Sequence, residues 1–291
     1  MYHRRQIIGL AGAAATLVAS PVILKAATRP KVRIGLGPQQ ATQADTKRVW
    51  EPLFKWVMDK AGFDYELRVA NDWAGIATAL ANEHVDIAQM GPWGFVLAKV
   101  KGDAYPLSML TIQGRPYYRA HISARPGLND LHYWPEEAKG VSLQLLDVGS
   151  TSGWLVPTHH MRSLGIDPKT YYGKYAEGAS AAAALVAVAE GKVDLCSGWD
   201  THRNTMIKNG LLKMDATRVV WYSQPLPNEP VAARRNLDAE IANRLKSAFG
   251  ALPKEVATSS IPWPYDGFIP TDYKPYEVLE KMGRDLGVIR T

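Results

Sequence analysis

The spacing of apolar residues switches repeatedly between a period of two and a period near 3.6. Lys31–Leu36 alternates and stops at Gly37-Pro38, which predicts a first strand and its turn. Thr46 to Ala61 places Val49, Leu53, Trp56, Val57 and Lys60 on one helical face, closed by Gly62. A second strand is predicted over Tyr65–Ala70, then a helix over Asp72–Ala81 with Asn71 or Asp72 as its cap. A third strand, Val85–Met90, ends at Gly91-Pro92 before a helix from Trp93 to Val100. Leu107–Ile112 and Tyr118–Ala124 read as two further strands, the later one leaving this first unit. After Pro126-Gly127 the pattern restarts with a strand at Val141–Leu146, a helix opened by Ser-Thr-Ser, a helix over Ala179–Glu190 and a strand at Val193–Cys196. Val219–Ser223 and Pro225–Pro230 read as the return crossing. Leu237–Leu252 is a long amphipathic helix, and Tyr276–Leu286 is a shorter one.

Strands alternating with helices imply mainly parallel sheets flanked by helices. Gly191-Lys-Val-Asp-Leu-Cys196 echoes Asn82-Glu-His-Val-Asp-Ile-Ala88, so each half uses the same helix-turn-strand unit. Ligands of open α/β sheets sit beyond the strand carboxyl ends. Here that is a cleft lined by the residues after Ala70, Met90, Leu146 and Cys196. The stretch after Leu146, Asp147-Val-Gly-Ser-Thr-Ser-Gly153, puts three adjacent hydroxyls at a helix start, with Pro157 close behind. Free N–H groups and the positive dipole end converge there, which makes an oxyanion seat. An ordinary serine N-cap fits the same residues.

The 291 residues suffice for two lobes. Of the +6 formal charge, three come from Arg4, Arg5 and Lys25 in an acid-free first 27 residues. The remaining +3 and the lack of any Lys/Arg run argue against a nucleic-acid partner. One cysteine, Cys196, excludes an internal disulfide and a cysteine-rich metal site. Arg4-Arg5 before the uncharged, Ala/Gly-rich run Ile7–Leu24, with Lys25-Ala-Ala27 following, predicts a twin-arginine export signal over residues 1–27 and a periplasmic destination. A retained membrane anchor is the competing reading; Gly9, Gly12, Ser20 and Pro21 disfavour it.

With these motifs in hand, the chain resembles the phosphonate/phosphite/phosphate substrate-binding proteins of ABC transporters. The likeness rests on Gly149-Ser-Thr-Ser-Gly-Trp-Leu-Val-Pro157, supported by Trp50-Glu-Pro-Leu53, Asn71-Asp-Trp-Ala-Gly-Ile76, Val85-Asp-Ile-Ala-Gln-Met-Gly91, Gly191-Lys-Val-Asp194 and Pro227-Asn-Glu-Pro230. It implies a two-lobed periplasmic-binding-protein fold of type II, with a signal at 1–27, lobe 1 over 28–121 and 229–291, and lobe 2 over 122–228. It also implies that Ser150, Thr151 and Ser152 hold a phosphorus oxyanion with Tyr118, that Trp73 faces the ligand, and that Glu229 meets an amine if one is present. Two positions depart from the family pattern. Ser180-Ala-Ala-Ala-Ala184 stands where a histidine is common, and Asp200 is one position from the cleft acid of amine binders. The missing histidine, together with Trp73 where the family usually has a tyrosine hydroxyl, removes two polar contacts to the oxyanion and argues against a bare, fully hydrogen-bonded phosphate.

Trp73, Trp93 and Trp199 all follow strand ends facing the expected cleft. Beside Asp200 and Glu229 they would suit a cationic tail, each aromatic contact contributing roughly 0.5–2 kcal/mol; packing of core and hinge is the competing reading. Gly149-Ser-Thr-Ser-Gly153 superficially resembles a hydrolase elbow, but its centre is Thr151. His159 and His160 are adjacent and cannot form an i,i+4 metal pair; His84, His121, His132 and His202 stand alone. Cys196 reads as a buried thiol, and Asp86 and Asp194 as turn caps. No nucleophile–base pair, metal set or cofactor motif is present, so an enzyme is not expected. The expectation is a monomeric receptor for a small anionic or zwitterionic solute that delivers to an inner-membrane ABC permease. A sensor docking on a histidine-kinase or chemoreceptor ectodomain is the alternative. The lobes would close by bending near Ser123 and Gln224.

Overall fold

The computed structural model describes residues 29–40 and 42–290; the export signal expected over 1–27 lies outside them. The first part of the chain forms β1 (Lys31–Leu36), α1 (Gln43–Ala61), β2 (Asp64–Val69), α2 (Trp73–Ala81), β3 (Ile87–Gln89), α3 (Pro92–Gly102) and β4 (Tyr105–Ile112). A short β5 (Tyr117–Tyr118) leads to β6 (Ala120–Ala124), β7 (Ser142–Leu146), α4 (Val156–Ser163), α5 (Pro168–Tyr171), β8 (Lys174–Ala179), α6 (Ala181–Ala189), β9 (Leu195–Trp199), α7 (Asp200–Lys208) and β10 (Arg218–Tyr222). The chain returns through β11 (Leu226–Pro227) and β12 (Pro230–Ala233) to α8 (Ala239–Gly250), α9 (Lys254–Ser260), β13 (Tyr265–Ile269) and α10 (Glu277–Asp285).

Two sheets result. One has the order β13-β4-β12-β3-β1-β2 and the other β10-β6-β9-β7-β8. Each contains three parallel strands, β2-β1-β3 and β8-β7-β9, connected through helices. The remaining strands pair antiparallel, so the sheets are less parallel than the alternation alone suggests. The cause is the crossing: β12 comes back from the second lobe and inserts between β3 and β4, while β6 enters it and lies along β9.

The two crossings pair with each other as β5 and β11, with Leu226 opposite Tyr118 and Pro227 opposite Tyr117. This corrects the lobe boundary expected at 121/122. Ala120 and His121 already pair with Trp199 and Gly198 in the second sheet. Ser123 is likewise no hinge, being fully buried between β9 and β10.

Local chemistry fixes the helices that aim at the cleft. Thr42 caps α1 by accepting from the Asp45 amide at 3.0 Å, and Gly62 ends that helix in the left-handed conformation. Asp72 caps α2 by accepting from the Gly75 amide at 2.6 Å. Asp86 and Asp194 play matched parts just before the starts of β3 and β9. Asp86 binds Arg33 and Arg234, and Asp194 binds Arg125 at 2.6 Å and the Ser142 amide at 2.8 Å. Both lie far from the strand ends that face the cleft, as their reading as structural caps requires. Burial pushes the Cys196 thiol up to about 12, which keeps it inert.

Candidate functional site

After β7 the chain makes a π-type turn over Thr151–Leu155, in which the Leu155 amide reaches back to the Ser150 carbonyl at 3.0 Å. Such wide turns recur at functional sites because they free backbone groups that an α-helix would use. The Ser150 hydroxyl accepts from the Gly153 amide at 3.1 Å. Thr151 Oγ1 accepts from the Trp93 amide at 2.8 Å. Each hydroxyl has a single proton, so accepting a backbone N–H leaves that proton free to donate elsewhere. The amides of Thr151 and Ser152 have no partner among the described residues. An N-cap and an anion seat are therefore one arrangement here: the cap bond itself turns Ser150 into a donor.

The turn can form only because position 153 lacks a side chain. A Cβ there would lie 2.4–2.6 Å from Leu146 side-chain atoms at the end of β7. Gly153→Ala is expected to displace Leu146 and lower stability by about 1–3 kcal/mol, the range for overpacking a filled core. Thermal unfolding of the unliganded variant measures it; an unchanged midpoint contradicts it.

The same turn is clasped by the other lobe. Besides the Trp93 amide bond, Trp93 Nε1 donates to the Val148 carbonyl at 3.1 Å. Gly149 lies so close to α2 that a Cβ would fall 2.3 Å from the Ala74 nitrogen and 2.6 Å from the Trp73 carbonyl carbon. The Asp147 carboxylate accepts from the Gly149 amide at 3.0 Å. Burial pushes Asp147 up to about 6, with the nearby Asp72 charge adding to the rise, while the Gly149, Ala74 and Trp73 amides oppose it. Residues 147–151 are thus held between the N-termini of α2 and α3, and the lobes are closed on each other.

Trp73, Gly91, Tyr118, Ser150, Thr151, Ser152, Trp199 and Glu229 enclose a cavity of about 10 Å³ within that closure. This is close to the space for one water molecule. Burial drives the Tyr118 hydroxyl far above the usual phenol range, so it remains a donor beside Thr151 and Ser152. Glu229 is 7% exposed, and burial pushes its carboxyl up to about 7, opposed by a hydrogen bond from Tyr265. Its Oε2 has no partner among the described residues. Among the described residues no lysine or arginine lines the cavity, so an anion there would be held by neutral donors and helix termini.

The structure therefore gathers Ser150, Thr151, Ser152, Tyr118, Trp73, Trp199 and Glu229 at one point and leaves two expected residues out. Trp93 is fully buried, with its indole against Gly283 and both nitrogens committed to lobe closure, so it forms no wall. Asp200 accepts from the Thr201 amide at the start of α7 and is not among the residues lining this cavity. Trp73 and Trp199 meet edge to face with centroids 6.5 Å apart, which leaves no slot for an alkylated ammonium between them. The aromatic cage does not form. Conversely, Tyr265 reaches Glu229 and Asp147 sits against the amides at the start of α2, while Gln39 and His202 line the neighbouring interlobe cavities. Asp147 sat in the motif itself, and His202 lies three residues beyond Trp199 at a helix start; Gln39 and Tyr265 carried no local signal.

A family model described as the periplasmic substrate-binding protein of phosphonate ABC transporters matches residues 34–276. The chain belongs to this family. A phosphate-import protein, PhnD, of Mycolicibacterium smegmatis is 30% identical over 217 residues, covering 71% of this chain and 67% of that one. The phosphonates-binding periplasmic protein of Escherichia coli K12 is 23% identical over 222 residues, covering 74% and 65%. The chain thus spans about two thirds of the length of these relatives. In fold it is similar to a Prochlorococcus marinus protein solved with methylphosphonate, with a TM-score of 0.78 and 17% identity over 89% of this chain and 99% of that one. Membership makes the chain a substrate-binding transport component with a periplasmic setting, a small solute as ligand and a membrane permease as partner.

Proposed function

We propose that this member of the phosphonate-binding family captures a small phosphonate or related phosphorus oxyanion. The Ser150, Thr151 and Ser152 hydroxyls and the Tyr118 hydroxyl would donate to the oxyanion, and lobe closure would trap it for an inner-membrane permease. One observation carries the reading: hydroxyl donors and amides without a partner among the described residues converge, with no described lysine or arginine, on a cavity lined by both lobes. Such a seat suits an oxyanion because the donors are preorganised and dry, and need no reorganisation on binding. Trp73 and Trp199 supply an apolar wall for a carbon substituent. Export by the twin-arginine route, a monomeric state and the absence of any chemical step on the ligand complete the proposal.

Calorimetry against methylphosphonate, phosphite, phosphate, 2-aminoethylphosphonate, its trimethylated analogue and methanesulfonate tests it. Methylphosphonate is expected to bind more tightly than phosphate and phosphite, because only it fills the tryptophan wall. Tighter phosphate binding would reassign the protein to inorganic phosphate, and preference for the trimethylated ligand would restore the cage.

A further inference from the structure

Three glycines near the enclosed seat are dictated by their neighbours. A Cβ at Gly37 would fall 2.1 Å from the Trp73 ring, one at Gly149 2.3 Å from the Ala74 nitrogen and one at Gly153 2.4 Å from Leu146. Gly91 is different, although it lines the seat itself. Its φ of −60° and ψ of 148° suit any residue, the more so before Pro92. A Cβ there would meet two ring carbons of Trp73 at 3.5 and 3.7 Å and Thr151 Oγ1 at 3.6 Å, and nothing closer. Neither backbone nor neighbours require a glycine, so the fold leaves a methyl-sized space unfilled at the wall of its binding site. Protein interiors fill such spaces unless something else is to occupy them, because each one forfeits packing.

The walls decide what fits. An atom at that point lies 3.5–3.7 Å from Trp73 ring carbons, the separation at which carbon–carbon attraction is strongest. It lies 3.6 Å from Thr151 Oγ1, beyond hydrogen-bond reach, so an oxygen placed there gains no bond from that hydroxyl. The point suits a carbon. We propose that Gly91 determines specificity: the side chain it lacks is the space that takes the carbon bonded to phosphorus, against the Trp73 ring, while the oxygens go to Ser150, Thr151, Ser152 and Tyr118. The inference rests on the phosphonate reading above and adds where the substituent sits and how large it is, a single methyl-sized group.

The test measures affinities for methylphosphonate and phosphite, which has hydrogen where the other has methyl, in the wild type, Gly91→Ala and Gly94→Ala. The wild type should favour methylphosphonate by about tenfold, the scale of one added carbon in an apolar pocket. Gly91→Ala moves that methyl from ligand to protein. It should weaken methylphosphonate by about 100-fold through overpacking and change phosphite by less than about tenfold, so that the preference reverses. Without ligand it should melt no lower than the wild type, since the backbone there suits alanine. Gly94→Ala is the control: its Cβ would meet Met90 at 3.5 Å and Ala77 at 3.8 Å in the same helix, away from the seat, and should leave the preference intact. Equal loss of both ligands in Gly91→Ala, a wild-type preference that survives it, a melting temperature well below the wild type, reversal in Gly94→Ala as well, or tighter phosphite binding by the wild type overturns this inference alone. Absence of methylphosphonate binding in the wild type overturns the phosphonate reading and this inference with it.

Discussion

Gly149→Ala is expected to weaken ligand binding at least 100-fold while leaving the unliganded protein almost as stable as the wild type. The added methyl has nowhere to go in the closed form, since the atoms it meets at 2.3 and 2.6 Å are backbone of α2, not a side chain that can turn aside. Gly149 has no left-handed conformation to lose, so neither lobe is strained by itself. The clash exists only when the lobes meet. A ligand can shift such an equilibrium only by its differential affinity for the closed form, and loss of that form removes most of the affinity. Calorimetry with methylphosphonate and thermal unfolding without ligand measure the two halves. Wild-type affinity in the variant would mean that the clasp around residues 147–151 is not part of binding.

The second large effect concerns Glu229. Burial raises its carboxyl to about 7, from an ordinary value of 4.5. Between these values the folded protein keeps a proton that the unfolded chain has released. Stability is therefore full below pH 4.5 and falls as pH rises through 7. The loss reaches about 3 kcal/mol by pH 8, at about 1.4 kcal/mol per unit of pKa. Glu229→Gln keeps the shape and removes the titration. Urea unfolding should show the variant and wild type within about 1 kcal/mol of each other at pH 4.5, and the variant more stable by about 3 kcal/mol at pH 8. A difference independent of pH would contradict the buried, unpaired state of Glu229 Oε2.

How much of this was legible beforehand depends on the range of each interaction. Local signals served well: Asp72 capping α2, Gly62 ending α1, and Ser-Thr-Ser opening a helix all follow from chain-neighbour chemistry. The return crossing was visible in its prolines, but not its partner. Pairing of Leu226 with Tyr118 spans more than a hundred residues, so the boundary drifted into β6. The strand β13 and the helices α7 and α9 went unread because their apolar residues are few and irregularly spaced. Three tryptophans after strand ends suggested one cage. A strand end shows where a side chain starts but not which nitrogen it must satisfy, and Trp93 spends both of its nitrogens on the opposite lobe. Gln39 had no signature at all, since what holds it is Trp50 across a turn.

The most direct test is calorimetric titration of methylphosphonate into the wild type and into the Ser150→Ala/Ser152→Ala double variant, with melting temperatures measured alongside. Saturable one-to-one heat in the wild type, no detectable heat in the double variant and melting temperatures within a few degrees without ligand are the expected results. Undiminished binding by the double variant would place the oxyanion somewhere other than this turn and contradict the account.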